Sequence, residues 1–92
     1  MILTGKTLEH YKIWFDKYYN DYWAYYQTKP TILNALIIEW FDSVGIYITS
    51  DYFELNNGFY SEILDSNFAI VKPTRQEALT EAIKKANEYY NL

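Results

Sequence analysis

One histidine, His10, and no cysteine mean that any metal or nucleophilic chemistry would rest on a single imidazole, the carboxylates and the hydroxyls. His10 has no second imidazole at ligand spacing, which argues against a zinc site. As a general base it would need an orienting group beside it, so a partly exposed helical residue is the expectation. Glu54 and Glu62 could face each other across a hairpin, where like charges would raise one pKa; solvated strand positions are the simpler reading. Ser43, Ser50, Ser61 and Ser66 lack the GxSxG setting of a strand–turn–helix nucleophile, and no glycine-rich phosphate loop occurs. The expectation is a chain that is not an enzyme and that holds no metal and no cofactor. Arg75 is the sole arginine. With Lys72 it makes a small basic spot where a helix should begin, a candidate anion-binding pair beside the alternative of ordinary solvated side chains.

The elements that must position these groups are marked by sparse punctuation, three glycines and two prolines in 92 residues. A first helix is expected from about Leu8 to Tyr26, with Thr7 as N-cap. On a helical wheel Tyr11, Trp14, Phe15, Tyr18, Tyr19, Tyr22, Tyr25 and Tyr26 share one arc with Leu8. That arc reads mainly as core. Glu9, Lys12, Asp16, Lys17, Asn20, Asp21 and Gln27 fill the opposite side, which Ile13 and Trp23 interrupt. A second helix opens at Pro30 and runs to about Ser43, with Gly45 near its C-cap. Leu33, Leu36, Ile37, Trp40, Phe41 and Val44 form its main face; Ile32 and Ile38 lie off it, which suggests burial on more than one side. The short link "QTKP" implies an antiparallel helical hairpin.

The period then changes to short runs rich in β-branched and aromatic residues, near 46–55, 58–64 and 68–72. Asn57-Gly58 is a type I′ turn signal. The last helix follows Pro73, with Thr74 and Glu77 placed as a capping box and a stripe of Ala78, Leu79, Ala82, Ile83, Ala86, Tyr89 and Tyr90. Its alanines would let it lie close to a sheet. The fold class expected is α+β in a single domain over residues 1–92, ordered α-α-β-β-β-α: a helical hairpin, a three-stranded antiparallel meander and a C-terminal helix on one face.

Composition narrows the partners. Net charge is −4, which disfavours a phosphate backbone, since lysine and arginine supply most of that affinity. Unbroken apolar runs such as "ALII" are far too short to span a bilayer. The N-terminal segment lacks the charged-then-apolar pattern of a signal peptide. A cytoplasmic location and no membrane partner are expected.

From Pro30 to Leu92 the element order resembles the double-stranded-RNA-binding domain. That family grips phosphates with lysines at the start of its last helix, where this chain reads "KPTRQEAL", with Glu77 and Glu81 in place of positive charge. The segments "WFDSVGIYI" and "TRQEALTEAIKKANEYYN" look similar to small accessory proteins of bacteriophages and mobile elements. The similarity extends over about half the chain. This second resemblance implies a small acidic protein of the kind that blocks host defence, anti-CRISPR inhibitors included, by binding a host or defence protein in the host cytoplasm. It carries no catalytic residue over.

The leading expectation is therefore a non-catalytic protein-interaction module. Its contact residues would be Ile13 and Trp23, with Asp16 and Asn20 on the same side of the first helix, and a homodimer is one use of that surface; the alternative is that the second helix wraps further round and Trp23 is core. Two rivals stand beside it. One is a nucleotide or RNA binder that stacks bases on tyrosines and uses Lys72 and Arg75; the other is an acidic mimic of nucleic acid.

Overall fold

The computed structural model describes residues 2–19 and 22–92. Four α-helices and three strands follow one another as α1 (Gly5–Tyr19), α2 (Trp23–Gln27), α3 (Pro30–Ser43), β1 (Ile48–Phe53), β2 (Gly58–Ile63), β3 (Ala69–Lys72) and α4 (Arg75–Asn91). The strands form an antiparallel meander in the order β1-β2-β3. The α+β class and the meander agree with the sequence.

Packing explains the layers. α4 lies against all three strands and also touches α1 and α3. Ala78, Ala82 and Ala86 are fully buried, and side chains this small let the helix axis approach the sheet. Ser61 is fully buried as well, with its hydroxyl donated to Thr49 O at 2.7 Å. Register places Ser61 opposite Ser50 on one side and Ile70 on the other, and Ile63 opposite Ile48. Directly opposed residues share a face, so these rows form the side that α4 covers. The core continues between the helices through Tyr11, Phe15, Leu36, Ile37, Trp40, Phe41 and Ile83.

Local signals hold two helix ends as the sequence indicates. Thr74 Oγ1 accepts from Glu77 N at 3.2 Å. At the end of α3, Gly45 takes φ +83, its N–H reaches Asp42 O, and Ile46 N reaches Phe41 O at 2.9 Å. That is a Schellman closure, and it needs the left-handed conformation glycine adopts without penalty.

Other expectations are corrected. The first helix is not continuous to Tyr26: α1 ends at Tyr19, and Tyr22, with φ −90 and ψ 12, precedes the separate α2. Residues 20 and 21, between Tyr19 and Tyr22, lie outside the described residues. Thr7 is not the N-cap either. It lies inside α1, fully buried, because α4 supplies the cap. Asn91 Oδ1 accepts from Thr7 N at 3.0 Å, Asn87 Oδ1 accepts from Thr4 N at 3.0 Å, and Asn87 Nδ2 donates to Thr4 Oγ1. Two side chains of one helix thus satisfy the free donors at the start of another.

The β1–β2 connection is not a two-residue turn. Residues Glu54–Asn56 form a 3₁₀ turn, and Asn57 alone is left-handed at φ 48. Gly58 pairs with Phe53 as the first residue of β2. Its role is clearance: a Cβ there would sit 2.8 Å from Val71 Cγ1 and 3.0 Å from Lys72 O. Glu62 consequently faces Thr49, while Glu54 lies in the turn, so the two carboxylates do not oppose each other. On α3, Val44 and Ile32 are exposed rather than buried.

Candidate interaction surface

His10 sits exposed on α1, and its Nδ1 shares a hydrogen bond with the Tyr90 hydroxyl on α4. The Tyr90 ring meets the imidazole edge-on at 5.5 Å. The arrangement ties two helices together. Among the described residues, no three His, Cys, Asp or Glu side chains converge as metal ligands. No described helix is long and apolar enough to cross a membrane.

The residues expected at the contact surface separate. Ile13 is 64% exposed and Asp16 is exposed beside it on α1. Asn20 lies outside the described residues. Trp23 is placed differently from the expectation. It is half-buried, its ring edge-on to Phe15 at 5.1 Å and tilted against Tyr11 at 5.7 Å. Its ring packs onto the core rather than the charged side, and Lys12 Nζ lies over it at 5.5 Å.

The aromatic arc divides in the opposite sense. Tyr11 and Phe15 are fully buried, yet Tyr18, Tyr22 and Tyr25 are 61%, 62% and 56% exposed. These outer rings belong to one connected set. Tyr18 meets Trp14, Trp14 meets Tyr19, Tyr19 meets Tyr26, and Tyr26 meets both Tyr22 and Tyr25, every centroid distance lying between 5.3 and 6.2 Å. Lys17 lies over Tyr18 and Lys29 over Tyr25, so cations decorate the ridge without covering it. A 250 Å³ hollow opens between Trp14, Tyr18, Tyr19 and Glu39. In it the Tyr19 hydroxyl donates to Glu39 Oε2 at 3.3 Å. Partial desolvation and the neighbouring Glu39 carboxylate push the Tyr19 phenol above its ordinary value. It stays a neutral donor at physiological pH.

The wheel placed these tyrosines in the core because it recorded position and not chemistry. Their type was the available signal. Eleven tyrosines stand against five phenylalanines, and a phenol suits a ring with one apolar side and one wet end. Tyr11 is the exception, buried among rings with its hydroxyl unpartnered among the described residues.

Lys72 and Arg75 come to the same corner. Lys72 is directly opposite Phe59 in the sheet, and the Arg75 guanidinium lies 5.2 Å from the Phe59 ring centroid. They line different concavities: Lys72 borders one beside Gly58 and Val71, Arg75 one between α3 and α4.

Comparisons with protein-family models, with curated proteins and with solved structures give no significant match.

Proposed function

We propose that this chain is a non-catalytic protein-interaction module that engages its partner through the aromatic ridge of α1 and α2, in the manner of a small phage-encoded inhibitor of a host or defence protein. The observation that carries the reading is the connected set of exposed tyrosines around the Trp14–Tyr19 hollow. Tyrosine and tryptophan are favoured anchors at interfaces because they bury large area with few rotatable bonds. The ridge is also larger than the scattered single apolar side chains that a solvated surface tolerates. Ile13 and Asp16 extend the contact on the outer side of α1.

The test compares the native chain with a Tyr22→Ala, Tyr25→Ala variant in pull-downs from the native host, read by mass spectrometry. Both side chains are more than half exposed, so the variant should fold, and circular dichroism checks that it does. A partner captured by the native chain and lost by the variant, with binding weakened by ~2 kcal/mol or more, supports the reading. Equal capture by both chains overturns the ridge as the contact. The rival reading, a nucleotide or RNA binder, draws support from the meeting of Lys72 and Arg75 at Phe59; a net charge of −4 weighs against it. Retardation of duplex RNA at physiological salt with a steep salt slope would promote that rival.

A further inference from the structure

A second concavity lies away from the ridge. It is a groove of about 530 Å³ between α3 and the first turns of α4, within the size range of small-molecule sites. Its surface is mainly Ala35, Ile38 and Leu79, with Arg75 at one border. Among the described residues no carboxylate lies within 4 Å of Arg75. The guanidinium instead lies over the Phe59 ring, a cation–π contact that steadies the charge at the border of the groove.

The remaining polar side chains are partly engaged with one another. Asn34 Nδ2 donates to Gln76 Oε1 at 2.7 Å, and Gln76 Nε2 donates to Thr31 Oγ1 at 2.8 Å. Thr31, Arg75 and Gln76 lie in the first turns of α3 and α4, so the backbone groups left unpaired along the walls are N–H donors. An extended peptide lying here would find few acceptors for its own N–H groups, which is costly. The lining holds no aromatic side chain, so there is no platform for a planar base. One fixed positive charge beside an aliphatic trough suits a ligand with one negative head and an aliphatic body.

We infer that the α3–α4 groove binds an aliphatic monocarboxylate, its carboxylate held by Arg75 and its chain laid over Ala35, Ile38 and Leu79. A guanidinium takes a carboxylate through two parallel N–H···O bonds. This inference is independent of the proposed protein contact, because the two surfaces share no residue.

Octanoate, octanol and octylamine serve as probes of equal chain length, titrated into the isotopically labelled chain and followed by amide and methyl NMR shifts. Octanoate should move the signals of Ala35, Ile38, Leu79 and Arg75 saturably and bind at least tenfold more tightly than octanol. Arg75→Gln should cut octanoate affinity about tenfold without changing the melting temperature. Ala35→Leu, which fills the trough from an exposed position, should abolish binding. Equal affinity for octanoate and octanol, tighter binding of octylamine, or unchanged affinity in Arg75→Gln would overturn the assignment. So would the absence of any saturable shift at millimolar octanoate.

Discussion

Asn87→Ala should be among the more damaging polar substitutions in this chain. Asn87 is only 8% exposed. Its Oδ1 accepts from Thr4 N and from Asn91 Nδ2, at 3.0 and 3.3 Å, and its Nδ2 donates to Thr4 Oγ1 at 3.0 Å. At roughly 0.5–1.5 kcal/mol net for each bond, losing all three costs about 1.5–4.5 kcal/mol. Alanine recovers about half a kcal/mol through its higher helix propensity. A net loss of about 1–4 kcal/mol follows, equivalent to a fall in melting temperature of roughly 4–30 °C for a domain of this size. Urea denaturation followed by tryptophan fluorescence measures it, because Trp14 and Trp23 report on α1 and α2. Asn87→Asp keeps acceptors for Thr4 N but loses the donor, and should fall between the native chain and Asn87→Ala. A loss below ~0.5 kcal/mol for Asn87→Ala, the level of an ordinary surface substitution, would refute the cap that α4 supplies to α1.

Trp23→Ala should destabilise by about 2–3 kcal/mol, less than a fully buried tryptophan would cost, and light scattering should show no change in mass; a dimer that dissociates on this substitution would instead mark Trp23 as an interface anchor. Burial holds the Tyr11 phenol above its ordinary value of 10.0, so the unfolded chain loses this proton first. The contribution is complete below pH 10 and declines as pH rises towards the folded value. Alkaline titration of tyrosinate absorbance should show Tyr11 ionising only as the fold is lost, and a full tyrosinate yield from an intact fold would contradict this.

Much of the architecture was legible because it depends on local rules. Pro30 opening α3, Gly45 closing it and Thr74 capping α4 each follow from what one residue does to its own backbone. The misplaced features depend on distant partners. Thr7 looks like an N-cap until Asn87 and Asn91 arrive from the other end of the chain. Two asparagines four apart in an otherwise helix-favouring sequence were the available hint. Gly58 reads as a turn glycine because sequence does not show Val71 approaching it. The ridge was hidden because one wheel over 8–26 ranks positions and not chemistry: it set Trp23 among charges and the exposed Tyr18, Tyr22 and Tyr25 in the core.

The cap on α1 also bears on the order in which the chain assembles. Its contacts join residues 83 and 84 positions apart, whereas the β-hairpins and the α3–β1 junction close over short stretches. Closing a long loop costs entropy before any contact repays it. The sheet can therefore form and receive α4 while the N-terminal helices are still loose. The expected order has α1 docking after the sheet and α4, as a late-joining unit that completes the core through Tyr11 and Phe15. The aromatic ridge is carried on that unit, so a partner that grips it also closes the last gate of the fold and raises the barrier to unfolding.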